Sequence, residues 1–241
     1  MTKLRGVTVT PQVLKIHELD DPALVYGFST IGLGSVGLTH APDPVPVLAS
    51  RRAFARALGI EEEPLTTAGA VHGTTIARVD EPKEVVQGVD GLITNQRGVA
   101  LFATFADCYP IVLWDASRRC AGLVHAGWRG TAAGVAKAAV KVMHDEYGCA
   151  AADIQAGIGP GICGRCYEVG DEVASQFEAR FVTPGARDRF LLDLAAANRA
   201  QLEEAGATVH VLELCTKETD FLPSHRRAPD GTRFGAIVAL R

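Results

Sequence analysis

The tightest constraint on the fold is a punctuated middle. Between Ala68 and Val124, short apolar and β-branched runs at 75–79, 99–105, 110–114 and 121–125 are separated by Gly, Asp or Pro. Runs of that length, bounded by turn formers, are strands, so a sheet is the first commitment of this chain. From 131 to 147 the rhythm changes: Ala132, Val135, Ala139, Val142 and Met143 recur every three or four residues, Thr131 stands where an N-cap belongs and Gly148 where a helix ends. A strand at 153–158, helices near 171–181 and 188–205, and strands at 208–214 and 233–240 complete the expected elements. Ahead of the middle, the segment ASRRAFARAL (49–58) predicts a helix stopped by Gly59. Residues 1–50 otherwise read as irregular, with three prolines in Pro42-Asp43-Pro44-Val45-Pro46. The stretch Gly32-Leu33-Gly34-Ser35-Val36-Gly37 reads as a turn rather than a phosphate loop, because no clear strand and helix flank it. No repeat or shift in composition marks a boundary, so one mixed α/β (α+β) domain is expected over 1–241.

Composition narrows the function. Hydrophobic residues make up 47% of the 241 and charged residues 22%, which suits a globular protein with a sizeable core and excludes disorder. The net charge is -4 and no Lys/Arg run occurs, so neither nucleic acid nor membrane is an expected partner. Met1 to Val7 leads into no apolar stretch of a secretory leader, and nowhere do ~18 apolar residues follow one another; a cytoplasmic protein is expected. In that compartment the six cysteines are thiols, available as metal ligands, rather than a disulfide framework.

Three places set a good metal ligand among small residues at a predicted strand end: Val71-His72-Gly73, Ala106-Asp107-Cys108-Tyr109-Pro110, and Val124-His125-Ala126-Gly127-Trp128-Arg129-Gly130. Gly73 and its like leave room for an ion and a substrate. Taken singly, such a histidine is an ordinary core residue and such a cysteine a small hydrophobe. Converging, His72, Cys108 and His125 suit Zn²⁺ with a fourth position open, the pattern of a catalytic rather than a structural zinc. An open zinc lowers the pKa of its water to about 7 or polarises a substrate oxygen, chemistry that serves hydrolysis, deamination or phosphorolysis. Copper of the blue type adds an axial Met, and the two methionines stand at the chain start (Met1) and inside a predicted helix (Met143). A metal-free alternative takes Cys108 as nucleophile and His125 as its base, leaving His72 without a role.

After His125 the chain turns into a helix whose N-terminal N–H groups favour an anion, with Arg129 as a bidentate clamp or simply a snorkelling side chain. Asp107 shares the site with Cys108 only if the strand ends there; it is then a general acid/base or an orienting group, or else it caps a turn. The Cys163-Gly164-Arg165-Cys166 pair has the spacing of a second metal site or a redox pair, but standing alone it reads rather as a glycine-rich turn after the strand at 153–158; Arg226, Arg227 and Arg233 read as a solvated basic cluster or an anion contact.

The segments AVHG (70–73), DGLITNQRGVALFATFADCYPIVLWD (90–115), HAGWRG (125–130), IGPGICGRCYEVG (158–170) and Cys215-Thr216 resemble the YfiH-like, laccase-domain family, also described as purine nucleoside phosphorylases. The resemblance spans nearly the whole chain. It implies a single domain of mixed β-sheets flanked by helices and a zinc held by His72, Cys108 and His125, with Asp107 and Arg129 in the family's catalytic segments. It also implies phosphorolysis of adenosine, inosine, guanosine or methylthioadenosine, and deamination of adenosine. An older description as a copper polyphenol oxidase is one alternative; a metabolite-binding protein with a structural zinc is another. Purine nucleosides and phosphate are the implied partners of a monomer or homodimer. The chain departs from the family at Ser29-Thr30-Ile31, where an arginine is usual at the third position, and at Ser224-His225-Arg226, where tyrosine is usual at the second.

Overall fold

Strands covered on both faces need no alternation of polar and apolar residues, and this chain builds most of its interior from such strands. The computed structural model describes residues 3–4, 7–9, 12–39, 41–60 and 64–241. Met1, Arg5 and most of the Met1–Val7 segment lie outside them. In chain order the first elements are β1 (Lys3–Leu4), β2 (Val7–Val9), β3 (Val13–Ile16), β4 (Leu24–Ser29), α1 (Pro44–Ala57), β5 (Leu65–Gly69), β6 (Ile76–Arg78), β7 (Val85–Gln87) and β8 (Gly91–Thr94). Then come β9 (Ala100–Phe105), β10 (Tyr109–Asp115), β11 (Cys120–Ala126), α2 (Trp128–Ala132), α3 (Val135–Tyr147) and β12 (Ile154–Ile158). The chain ends with β13 (Glu168–Val169), α4 (Asp171–Ala174), β14 (Val182–Pro184), β15 (Phe190–Leu192), α5 (Leu194–Glu204), β16 (Thr208–Val211) and β17 (Phe234–Leu240).

An eight-stranded sheet runs β1-β2-β3-β4-β17-β9-β5-β7 and a six-stranded sheet β16-β12-β10-β11-β8-β6, with β13-β15-β14 as a small third. Both large sheets mix parallel and antiparallel pairs. Leu101, Ala103 and Phe105 of β9 join Phe234, Ala236 and Val238 of β17 and Val112, Trp114 and Leu123 in the core between the large sheets. The alternate residues Ala100, Phe102, Ile237 and Ala239 pack under Phe54 of α1 and under Leu58, which caps its C-terminus. On the far face of the six-stranded sheet, Ile111, Leu113, Cys120 and Val124 lie against Ala136, Val140 and Met143 of α3 and Leu202 of α5. The order of layers is helix, sheet, sheet, helices: a mixed α/β single domain. Among the described residues no helix is long and apolar enough to cross a membrane.

The expected middle strands and the final strand all form. The expected irregularity of residues 1–50 does not hold, for β4 is buried along its whole length between β3 and β17. Helix α1 begins at Pro44, ahead of the predicted 49: the Asp43 side chain accepts from Val45 N–H, and Pro44 sits in the first turn, where its missing N–H costs nothing. Gly59, at φ 76, ends it as expected. The predicted helix at 131–147 starts at Trp128 and breaks at Gly134, whose φ of 86 is left-handed, so Thr131 is not an N-cap; buried, it donates to Asn198 instead. Of the helix expected over 171–181 only Asp171–Ala174 and a short 3-10 turn form, residues 190–192 are strand rather than the start of a helix, and β16 stops at Val211.

Candidate metal centre

One end of the space between the two large sheets gathers the three candidate ligands. His125 is buried on β11 and its ring stands 5.5 Å from Phe105 of the facing sheet. Cys108 immediately precedes β10, where the chain has just crossed over from β9. His72 lies on the crossing from β5 to β6 and takes a left-handed backbone, φ 62. One ligand atom of each of His72, Cys108 and His125 lies within 4.8 Å of the others, and the two imidazoles meet edge to face at 4.9 Å. Among the described residues no fourth His, Cys, Asp or Glu joins them. Two imidazoles and one thiol on an open side fit a borderline-soft divalent ion. Met143 is buried in the core under α3 and Met1 lies outside the described residues.

The organiser of this group is a residue to which sequence reading assigned no role. Asp90, wholly buried, accepts from His125 Nδ1 at 3.0 Å and from the backbone N–H groups of Val71 (3.2 Å), His72 (2.9 Å) and Gly73 (2.7 Å). One carboxylate therefore aims the Nε2 of His125 away from itself and holds the strained turn that carries His72. Burial resists its charge, yet these bonds keep the acid below the usual carboxylate range. The one signal for it in the sequence is its place at the head of the segment DGLITNQRGVALFATFADCYPIVLWD (90–115). Space comes from Gly127: a Cβ there would stand 2.8 Å from His72 and 3.0 Å from the sulfur of Cys108.

The group is electrically paired. Burial opposes charge on Cys108, but the charge of His125 and hydrogen bonds from His125 and His72 outweigh it and bring the thiol down to about 6. Burial also opposes charge on His125, while the Cys108 sulfur and Asp90 raise it to about 9. A thiolate–imidazolium pair is thus the resting form near neutrality.

A cavity of about 1060 Å³ opens on the triad, and its wall is basic: Arg51, Arg52 and Arg56 of α1, Lys83 and Arg233 line it beside His225, with Glu84 the acidic exception. This wall was missed in the sequence, where the arginines of 49–58 only helped to predict a helix. His225, at the family-variant position, faces the cavity; Ile31, at the other, is exposed beside Phe221, whose carbonyl accepts its N–H.

The remaining candidates lie around this centre in other ways. β9 ends at Phe105 and Asp107 takes φ 84, but its carboxylate is occupied by Thr216 Oγ1 and the N–H of Arg226, both at 2.6 Å. Arg129 is exposed and stacks on Trp128 at 4.2 Å, outside the cavity lining. The N–H of Gly73 is taken by Asp90. Arg227 is spent on the carbonyls of Thr216, Lys217, Thr219 and Leu222, so that of the late arginines Arg233 alone lines the cavity.

A family model described as multi-copper polyphenol oxidoreductase laccase matches residues 27–241. A purine nucleoside phosphorylase of Deinococcus radiodurans is 38% identical over 205 residues, covering 83% of this chain and 80% of its own. The adenosine deaminase RL5 of an unknown prokaryotic organism is 38% identical over 180 residues, 68% of each chain. The crystal structure of the Bacillus licheniformis hypothetical protein YfiH superposes with a TM-score of 0.90 at 26% identity, over 99% of this chain and 100% of that one.

Proposed function

This chain belongs to the family described as multi-copper polyphenol oxidoreductase laccase, and from that membership we propose that it is a zinc-dependent purine nucleoside phosphorylase that also deaminates adenosine. The observation that carries the reading is the open His72–Cys108–His125 donor set at the end of a basic cavity. Relatives named for both activities stand at 38% identity. A zinc ion held by the three side chains would supply Lewis acidity toward an oxygen of phosphate, nucleoside or water.

The chain's own residues do the rest. Asp90 keeps the Nδ1 proton of His125 directed inward, so that Nε2 is the free face of the ring. Arg52, Arg56, Lys83 and Arg233 attract and hold the phosphate dianion along the cavity wall, beside Arg51, whose Nε is tied to the Val36 carbonyl at 2.8 Å and whose guanidinium stacks on Phe102. Gly127 keeps the approach open, with Gly73 contributing backbone to the turn under Asp90. Asp107 acts by positioning: through Thr216 and Arg226 it fixes the crossing that presents Cys108. Arg129 stacks on Trp128 outside the cavity lining, so the phosphate contacts are assigned to the cavity wall instead. In phosphorolysis a phosphate oxygen bonds to the anomeric carbon, the glycosidic C–N bond breaks, and the purine leaves with a proton. Deamination exchanges the C6 amine of adenosine for the oxygen of water and releases ammonia.

The test is direct. The zinc-loaded protein given inosine and phosphate is expected to yield hypoxanthine and ribose 1-phosphate, and ammonia from adenosine; absence of both overturns the proposal. The family description favours copper-dependent phenol oxidation as a second reading. Copper in place of zinc in protein purified without added metal, together with oxygen uptake on a phenol, would establish it instead.

A further inference from the structure

The proposed reaction leaves a second group of thiols unused. Cys163 and Cys166 lie on the loop that follows β12, and Cys215 and Glu218 on the loop that follows β16. One ligand atom of each lies within 4.8 Å of the others. A single parallel bridge, Gly161 to Cys215, ties the two loops together. The Cys163 carbonyl accepts from the N–H groups of Cys166 (2.9 Å) and Tyr167 (3.0 Å), so the Cys-X-X-Cys segment is wound into a tight turn that turns both sulfurs to one side. The N–H of Cys163 donates to the sulfur of Cys215 at 3.3 Å. Glu218 reaches the Cys163 sulfur at 3.8 Å, and Arg165 forks onto the same carboxylate, with Nε to Oε1 at 2.9 Å.

These are not inert core cysteines. Cys120 and Cys149 show what that looks like: both are fully buried among the apolar side chains under α3. Cys163 and Cys166 are half-buried and belong to none of the apolar clusters. Cys163, Cys166 and Cys215 are all free thiols in the structure.

We propose that Cys163, Cys166, Cys215 and Glu218 form a second metal site, a structural one that takes Zn²⁺ with three thiolates and one carboxylate oxygen. Binding forms three S–Zn bonds and one O–Zn bond and releases the three thiol protons to solvent, with no oxidant involved. Three thiolates, a carboxylate and the dication leave an excess of two negative charges, and Arg165 offsets one of them. Four protein ligands close the shell, which is the mark of a structural ion. The ion would clamp the loops that hold Asp107: Ile162 N–H donates to the Asp107 carbonyl at 2.9 Å, and Thr216 to its carboxylate. The second site thereby stiffens the crossing that presents Cys108, and it stands whether or not nucleosides are the substrates.

The test uses the full chain and metal ions alone. Cys108→Ser removes the sulfur of the first site, so any sulfur-to-cobalt charge transfer in Co²⁺-loaded Cys108→Ser protein must come from the second. Strong charge-transfer absorption graded for three thiolates, with tetrahedral visible bands, is expected. Zinc counting is expected to give two equivalents in the parent, one in His72→Ala and one in Cys163→Ser or Cys215→Ser, and none where His72→Ala is combined with either cysteine variant. Co²⁺-loaded Cys108→Ser protein without charge transfer overturns the proposal, as does a Cys163–Cys215 disulfide in protein alkylated at lysis. Should the Cys163 and Cys215 variants fail to fold, the cobalt spectrum of Cys108→Ser still decides.

Discussion

A single buried carboxylate links both imidazoles of the candidate centre. Asp90 bonds the ring of His125 and the backbone that carries His72, so its charge and its shape serve two ligands at once. Asp90→Asn keeps the size, halves the acceptor capacity and removes the charge. Zinc affinity of the triad, read by competition with a chromophoric chelator, is expected to fall by about 10–100-fold with the fold retained; unchanged affinity would refute the role. Protons compete with the same ion. The metal needs the Cys108 thiolate and neutral His125; with the thiol at about 6 and the imidazole at about 9, the pair carries one proton between those values. Zinc binding is therefore expected to release close to one proton per ion in that window. Affinity rises about tenfold per pH unit up to about 9, levels off above it, and falls more steeply below about 6. Calorimetry in buffers of different ionisation enthalpy measures the released proton.

Elements decide what the residues face. Arg51, Arg52 and Arg56 share a cavity because α1 lays one face on the eight-stranded sheet, through Phe54 and the capping Leu58, and turns the neighbouring stripe to the opening. Reversing one exposed charge there, Arg52→Glu, is expected to raise the KM for phosphate several-fold. Little change in stability should accompany it, and the effect should shrink at high salt. A KM independent of salt and equal to that of the parent would detach this wall from phosphate. The break between α2 and α3 rests on Gly134, at φ 86 with open space where a Cβ would lie. Gly134→Ala meets no clash, only the backbone cost of a left-handed alanine, so a loss of about 1 kcal/mol is expected in denaturant melts.

At the scale of the molecule, the metal centre joins segments that never meet along the chain: the β5–β6 crossing, the β9–β10 crossing and the end of β11. An ion there binds the folded state alone. Free zinc at a hundred times its Kd is expected to add about 2.7 kcal/mol. For a chain of this size that raises Tm by roughly 5–10 °C, and a chelator reverses it. Cys108→Ala distinguishes a reactive ion from a merely supporting one: turnover is expected to vanish while the cooperative melt persists at a Tm near that of the zinc-free parent. If the variant unfolds instead, the centre is structural.

Read alone, the sequence identified the middle strands, because Gly, Asp and Pro interrupt apolar runs too short for helices, and it named His72, Cys108 and His125, because each stands among residues too small to crowd an ion. It misread β4 as irregular: a strand sandwiched between strands and covered on both faces has no alternation to display. Tertiary structure alone revealed Asp90, whose partners lie up to 35 positions away, and brought Cys215 to Cys163 across 52 positions. Local pattern records which side chains an element hides, whereas the meeting of distant groups depends on where the chain crosses between the two sheets. Those crossings are set by burying both sheets against each other, a sum over the whole core that no short window of sequence contains.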